Sequence, residues 1–217
     1  MLFRSKKIKR IINEEKRKND ILTKRIEELE EWKNLKNIIN SRIIEKRKEI
    51  DFIIDRLKNN EEKKKKNIFF KKIYSAIEDG DSTSIFHQKC DGQKNIIAII
   101  NTIKGAKFGV YTNVGFGLGS GVYIQDDELF HFNINNYKIY NVKKGLNQVE
   151  RCQSNICGID INCGIHTNYN FFSGDKNHCI IDSMINYYEG LENEFELNLG
   201  EKYFISSEVE VFKIILY

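Results

Sequence analysis

Apolar side chains recur at steps of three and four residues along the first quarter of the chain. Between Leu22 and Leu57 the average step is about 3.5 residues, the coiled-coil period rather than the 3.6 of a straight helix. No proline or glycine interrupts residues 1–66, so the pattern predicts one continuous coiled-coil helix over that range. A narrow apolar stripe needs a partner. We expect pairing through residues 8–57, with a second copy as a homo-oligomer or with another protein's helix; a solvated helix that packs only locally is the alternative.

The pattern changes after residue 67 to that of strands. Residues 96–103 are apolar on both faces, as in a fully buried strand, and residues 104–107 form a hairpin turn into a second strand over 108–112. Further strands are predicted over 129–134, 137–142, 157–165, 203–205 and 209–215, and a strand over 72–75 is implied only by the family resemblance given below. Short strands after a helical arm indicate an α+β chain, with the arm over 1–66 and an antiparallel β-sandwich over 67–217.

Two predictions concern polar residues near the strand over 129–134. Its alternation places Phe130 and Phe132 on one face and His131 on the other, so we expect His131 at the surface. The acidic run from Asp126 to Glu128 falls in a predicted loop, where such residues serve solubility. The range 178–190 fits either a helix or a strand with a loop.

Charge separates the arm from the rest of the chain. Residues 1–66 hold 22 Lys and Arg against 13 Asp and Glu, a net of +9, whereas residues 67–217 hold 13 against 18, a net of −5. A basic arm raises nucleic-acid binding as an alternative function. Acidic residues are interspersed throughout the arm, so we do not expect nucleic acid to bind. The basic cluster Lys63–Lys66 is expected to be a solvated helix end.

Cysteine usage and hydropathy favour a cytoplasmic protein. The five cysteines are odd in number and lack a framework spacing, which indicates reduced thiols. No apolar run of about 18 residues predicts a membrane span, and the basic N-terminus lacks the apolar core of a secretory signal.

Metal and nucleotide sites are not expected. A zinc site can be assembled on paper from five ligand-type residues: Cys157, Cys163, His166, His178 and Cys179. If residues 157–165 form one strand, however, Cys157 and Cys163 lie about 20 Å apart, too far to share an ion. The alternating glycines over 115–121 do not match the dinucleotide fingerprint and predict a surface loop. We therefore expect no cofactor and no metal.

One candidate pair for thiol chemistry precedes the first buried strand. His87 and Cys90 are three residues apart, so they face the same side only if the segment turns or is helical. A reactive thiol also needs a lowered pKa and some exposure. A redox-active Cys90 is one alternative, and a packed structural thiol is the other.

Two motifs at opposite ends of the strand region resemble the TLDc family of oxidation-resistance proteins. The first runs from Phe86-His87-Gln88-Lys89-Cys90-Asp91-Gly92 through Ile96–Ile100 to Phe108-Gly109-Val110-Tyr111, and the second is Glu208-Val209-Glu210-Val211-Phe212. The resemblance spans roughly residues 74–215. The residues that match are Phe86, Cys90, Asp91, Gly92, Phe108, Gly109, Tyr111, Glu208, Glu210, Val211 and Phe212.

The resemblance implies a β-sandwich with flanking short helices and no established catalytic mechanism. It implies oxidative-stress protection and binding to the vacuolar-type proton ATPase, so we expect a non-enzymatic protein-interaction module whose partner is a protein. Thiol-based antioxidant activity through Cys90 and binding of the basic arm to nucleic acid are the alternatives. Residues 113–120 are glycine-rich where the family usually has a tryptophan, and residues 140–174 match poorly.

Overall fold

The computed structural model describes residues 2–117, 122–143, 148–151, 157–160, 165–168, 172, 179–181 and 187–217. The chain separates into two compact units, Met1–Asn40 and Ser41–Tyr217. None of the helices in the described residues is long and apolar enough to cross a membrane.

Helix α1 covers Leu2–Ile39 and makes up nearly all of the first compact unit. It ends because Asn40 adopts a positive φ of 50°, a left-handed conformation that asparagine tolerates better than most residues. The amide of Asn40 still donates to the Lys36 carbonyl at 2.9 Å, which closes the last turn. The predicted continuous helix over 1–66 is therefore wrong.

Residues 41–66 belong to the second unit and hold helices α2, Arg47–Leu57, and α3, Glu61–Lys64. Glu49 starts α2 by accepting hydrogen bonds from the amides of Glu45 and Lys46. Three apolar residues spaced one helical turn apart are buried in the unit: Ile50, Ile53 and Leu57. They cannot pair with a second copy, so the predicted pairing surface ends within α1, and the compact β-containing unit begins at Ser41 rather than at residue 67.

Six of the described strands form one antiparallel sheet in the order β1-β11-β2-β3-β5-β6. Their bounds are β1 Ile68–Ser75, β2 Ile96–Thr102, β3 Lys107–Thr112, β5 Phe130–Asn133, β6 Lys138–Asn141 and β11 Ser206–Leu216. Strand β11 pairs with β1 on one side and with β2 on the other. The hairpin between β2 and β3 turns at Gly105, as the sequence predicted.

Both faces of this sheet are covered. In β2 the alternate residues Ile96, Ala98 and Ile100 join the main core cluster, while Ile97 and Ile99 are equally buried outside it. Helix α2 packs nearby: the ring centroid of Phe52 lies 5.6 Å from that of Tyr137, beside β6, and the Arg56 guanidinium lies 4.4 Å from the centroid of the Phe130 ring, in β5. A sheet covered on both sides explains why β2 is apolar from Ile96 to Ile100.

Double coverage also overturns the prediction that His131 is at the surface. His131 pairs in register with Val110, a residue of the main core, and it is fully buried. Its ring centroid lies 4.9 Å from that of Tyr188. Aromatic and polar residues therefore alternate along β5, and the side chains of both sets are buried.

Two smaller sheets complete the described strands. One has the order β10-β9-β8, with β8 Cys157–Asp160, β9 Ile165–Asn168 and β10 Cys179–Ile181, and the other pairs β4 Val122–Gln125 with β7 Gln148–Arg151. Ile159, Ile165 and Ile181 extend the main core. The predicted single strand over 157–165 is wrong, since β8 and β9 pair antiparallel. Residues 203–205 form no strand; Tyr203 makes an isolated bridge to Ile180.

Short helices flank the sheet. They are α4 Ala76–Asp79, α5 Thr83–Cys90 and a 3-10 helix over Glu196–Asn198. The segment from Phe86 to Cys90 is thus helical, which is the condition under which His87 and Cys90 face the same side. The predicted α+β class, with a long N-terminal helix before an antiparallel sheet and short helices, is confirmed.

Candidate functional site

Helix α5 brings His87 and Cys90 onto the same side, as thiol chemistry would require, but it buries both of them. Cys90 has no exposed surface, and burial, followed by the nearby Asp91 and Asp79 carboxylates, raises the pKa of its thiol well above the usual range. The His87 Nδ1 atom lies 2.7 Å from Asp91 Oδ1. A protonated, inaccessible thiol is a poor nucleophile, so the geometry favours a packed structural Cys90.

The thiol of Cys179 is in the same condition. It is buried in the main core, and burial raises its pKa to about 12. Of the other proposed zinc ligands, Cys163 and His178 lie outside the described residues, and only the backbones of Cys157 and His166 are described. No metal-sized group of three His, Cys, Asp or Glu occurs among the described residues.

Most of the family-motif residues fill space or shape the backbone. Four apolar members are almost fully buried: Phe86, Phe108, Val211 and Phe212. Gly92 has a φ of +71°, which favours glycine. At Gly109 a Cβ atom would stand 2.2 Å from the Ala98 carbonyl oxygen and 2.5 Å from Phe132 Cζ, so β3 can approach β2 and β5 only without a side chain there.

The motif glutamates are buried hydrogen-bond acceptors in β11. Glu208 accepts from Ser75 Oγ at 3.1 Å and from the Ile77 amide at 3.2 Å, which ties α4 to the sheet. Glu210 accepts from Ser41 Oγ at 2.5 Å and from the Arg42 amide at 2.9 Å. Burial raises the pKa of Glu210, while these hydrogen bonds and Lys72, 3.8 Å away, oppose the rise. Both residues therefore fasten neighbouring segments to the sheet.

Tyr111 organises a buried polar cluster with Lys63 and Glu128. Lys63 Nζ donates to the Tyr111 hydroxyl at 2.6 Å and forms an ion pair with Glu128. The Tyr111 hydroxyl lies 2.9 Å from Asn95 Oδ1, and Asn60 Nδ2 donates to Glu128 at 2.8 Å. Burial raises the pKa of Tyr111. The Lys63 side chain is only 6% exposed, so the prediction of a solvated Lys63 is wrong.

This cluster contains the residue types of acid–base chemistry in a space too small for a substrate. The adjoining cavity measures about 140 Å³ and is lined by Arg56 and Asn59 as well as the cluster. That volume holds a few waters, whereas ligand pockets commonly measure about 300–1,000 Å³. The cluster joins the segment of α2 and α3 to the sheet.

Asp126 also has a structural role, so the prediction that it serves solubility is wrong. It is buried, and it accepts from Thr112 Oγ1 at 2.6 Å and from the Asn113 amide at 2.8 Å. These bonds hold the chain as it leaves β3 towards the glycine-rich stretch. Gly115 and Gly117 of that stretch are described, whereas Gly119 and Gly121 lie outside the described residues.

A groove at the turn between β2 and β3 is a candidate binding surface. It measures about 510 Å³ and runs between this turn and the segment after the 3-10 helix. Buried Ala106 and Phe204 contribute to its lining. Ile103, Leu199 and Tyr203 also line it, yet they are 62%, 52% and 42% exposed. An ion pair of 2.9 Å between Lys104 and Glu201 crosses its rim.

Leu199 occupies the groove in a strained backbone conformation. Its φ is +53° and its ψ is 32°, the left-handed region that a branched apolar residue seldom adopts. The conformation is held by hydrogen bonds around it, from the Leu199 amide to the Glu196 carbonyl and from the Gly200 amide to the Phe195 carbonyl. Such strain costs of order 1–3 kcal/mol and concentrates at functional positions. No motif in the sequence marks this residue; only its turn-forming Asn198 and Gly200 neighbours signal a loop.

Comparison with known proteins finds the same family that the buried motif residues resemble. A family model described as the TLDc domain matches residues 38–215, more than four fifths of the chain. The match begins close to Ser41, where the second compact unit begins. No curated protein matches the chain significantly.

Proposed function

Because the chain belongs to the TLDc domain family, we propose that it is a non-enzymatic interaction protein. In this proposal the unit over residues 41–217 binds a protein partner, and α1 provides oligomerisation or localisation. The motif residues Cys90, Tyr111, Glu208 and Glu210 act as internal supports of that unit, since each is buried against other parts of it.

The groove at the β2–β3 turn is the observation that carries the proposal. Among the residues of the unit that the structure describes, five large hydrophobic ones are more than two fifths exposed, and three of these line the groove: Ile103, Leu199 and Tyr203. Clustered exposed apolar side chains mark interaction sites, whereas scattered ones need no explanation. An apolar centre with the Lys104–Glu201 pair on its rim has the usual layout of a protein-binding surface.

The family resemblance makes subunits of the vacuolar-type proton ATPase the first partner to test, and oxidative-stress protection the setting. The buried thiols of Cys90 and Cys179 agree with a cytoplasmic location, where cysteines stay reduced.

The test compares full-length variants as bait in affinity capture from native lysate. Leu199→Asn suits the experiment because asparagine tolerates a positive φ, so the fold is kept while the apolar side chain is lost. We expect proton-ATPase subunits to be captured by the wild type and roughly tenfold less by Leu199→Asn or Ile103→Ser. The matched control is Ile77→Ser, which removes an isoleucine that is 50% exposed, against 62% for Ile103, and that lies outside the groove. Equal capture by all variants would contradict the groove as the binding surface.

The alternatives predict different results. Thiol-based antioxidant activity requires Cys90 to consume peroxide, and its burial and raised pKa speak against this. Slower peroxide consumption by Cys90→Ser than by the wild type would support this alternative. Nucleic-acid binding by α1 predicts retention on a DNA column at low salt that falls steeply as salt is added.

A further inference from the structure

Four of the seven exposed large apolar side chains that the structure describes in α1 follow a heptad; Ile11, Ile21 and Ile38 lie outside it. Ile12, Leu22, Ile26 and Leu29 are each between 56% and 60% exposed in the single chain. Ile12 and Ile26 are fourteen residues apart, and Leu22 and Leu29 are seven apart, which places the first pair at a positions and the second at d positions. The stripe is therefore the seam of a coiled coil, and it needs a second helix.

Four polar residues share this seam, and their charges distinguish the two ways of pairing with a second copy. By heptad position they are Glu15, Asn19, Lys33 and Lys36, and all four are exposed. In a parallel dimer each residue faces itself, which sets Glu15 against Glu15 and each seam lysine against the same lysine. Three layers of like charge would then lie in the seam, where they are destabilising.

An antiparallel dimer centred on Lys24 removes the like-charge layers and places Lys36 against Ile12 and Asn19 against Leu29 instead. Glu15 then faces Lys33 of the second copy, and the symmetry repeats the pair. Leu22 faces Ile26, so the centre of the seam is apolar on both sides. Every layer joins an a position to a d position, as antiparallel coiled coils require. The ion pair that Glu15 makes with Lys18 in the single chain, at 2.8 Å, is exposed and is easily exchanged for the new one.

The charged residues beside the seam also favour the antiparallel register. In the antiparallel register Lys16 faces Glu30 of the second copy, again twice, and Arg25 faces Arg25 once. The parallel register pairs Arg25 with Glu30 twice. The antiparallel dimer thus has four attractive pairs and one repulsive pair, whereas the parallel dimer has two attractive pairs and three repulsive layers.

We propose that α1 binds α1 of a second copy of this chain as an antiparallel coiled coil centred on Lys24. This inference deepens the oligomerising role proposed for α1 and rests on it. Over residues 9–39, the part of α1 that this register pairs, the C-terminal ends of the two helices lie about 45 Å apart at 1.5 Å per residue.

Charge reversal in the full-length chain tests the register. Glu15→Lys places two Lys–Lys contacts in the antiparallel seam, so sedimentation equilibrium should show a dissociation constant about tenfold higher. Adding Lys33→Glu should restore it to within about threefold of the wild type. Glu27→Lys, which makes the same charge change away from the seam, is the matched control and should have little effect. A parallel dimer would instead tolerate Glu15→Lys, and the second change would restore nothing.

Photo-crosslinking gives an independent readout of orientation. With Lys16 replaced by p-benzoylphenylalanine and light and heavy isotope-labelled chains mixed, interchain products identify what faces residue 16. Crosslinks to residues around Glu30 are expected, and crosslinks to residues around Ile11 would establish the parallel arrangement and overturn the inference. A wild-type chain that is monomeric at all accessible concentrations would overturn it too, and would remove self-association from the proposed function while leaving partner binding by the groove untouched.

Discussion

The buried ion pair between Lys63 and Glu128 makes a sharp prediction, because the next residue provides its control. Lys63→Met keeps the apolar length of the side chain and removes its charge. Lys64→Met makes the same change one position along, where the Lys64 Nζ atom lies 3.2 Å from Glu61 at the surface. The two side chains differ in burial, being 6% and 61% exposed, and Lys63 also donates to the Tyr111 hydroxyl.

The magnitude follows from what the lysine leaves behind. Removing one partner of a fully buried pair costs about 3–5 kcal/mol because the other charge is left uncompensated. Glu128 is 28% exposed and keeps its hydrogen bond from Asn60, so we expect about 2–4 kcal/mol for Lys63→Met. For a unit of this size that lowers Tm on the order of 10 °C. Lys64→Met should change the free energy of unfolding by less than about 0.5 kcal/mol.

Calorimetry and denaturant unfolding followed by near-ultraviolet tyrosine signals would measure both variants. Glu128→Gln in the Lys63→Met background should recover part of the loss, since it removes the stranded charge. A Lys63→Met protein as stable as Lys64→Met would refute the reasoning, and so would a double variant whose loss equals the sum of the two single losses.

Three further predictions concern the motif residues. Gly109→Ala should lower the free energy of unfolding by about 3 kcal/mol, because the new Cβ atom meets the Ala98 carbonyl oxygen. Gly200→Ala meets no neighbouring atom and should lower it by only about 1 kcal/mol, because Gly200 has a positive φ. Equal losses of the two variants in urea titrations would contradict this. Burial raises the pKa of Glu210, so its contribution to stability is full below the usual range near pH 4 and declines as pH rises through the folded pKa. Glu210→Gln should therefore gain on the wild type as pH is raised from about 4 to 8, and parallel pH curves would refute that. Cys90 should resist a water-soluble thiol reagent until the protein unfolds, and rapid labelling under native conditions, located by peptide mapping, would show that its thiol is accessible.

Strong local patterns predicted the elements of the fold, and distant partners decided the rest. Residues 96–100 are so uniformly apolar that β2 could be recognised in isolation, and the turn at Gly105 located its hairpin. The end of α1 depends on Asn40 adopting a positive φ, and Glu210, 170 residues away, holds the chain that follows. Absence of proline and glycine therefore did not mean absence of a helix end.

The candidate site was the least predictable part for the same reason. In the sequence, Lys63 is one member of a basic run. Its burial becomes visible only in the structure, where it donates a hydrogen bond to Tyr111. His131 alternates as a surface residue would, because a period of two separates the faces of a strand without telling which face is covered. The groove depends on Ile103 and Leu199, which are 96 positions apart and share no motif.

The central position of β11 has a consequence for how the chain folds during synthesis. This strand is the latest in the sequence, yet it lies between β1 and β2, so β1 has no place in the sheet until residue 216 has been translated. Until then the nascent chain presents the edges of β1 and β2 without their common neighbour, and unpaired edges invite wrong pairing. We expect the closure between β1 and β11 to be slow, because their paired residues are more than 130 positions apart. A nascent chain stalled shortly before β11 should therefore depend on chaperones that shield strand edges, and release of the complete strand should end that dependence.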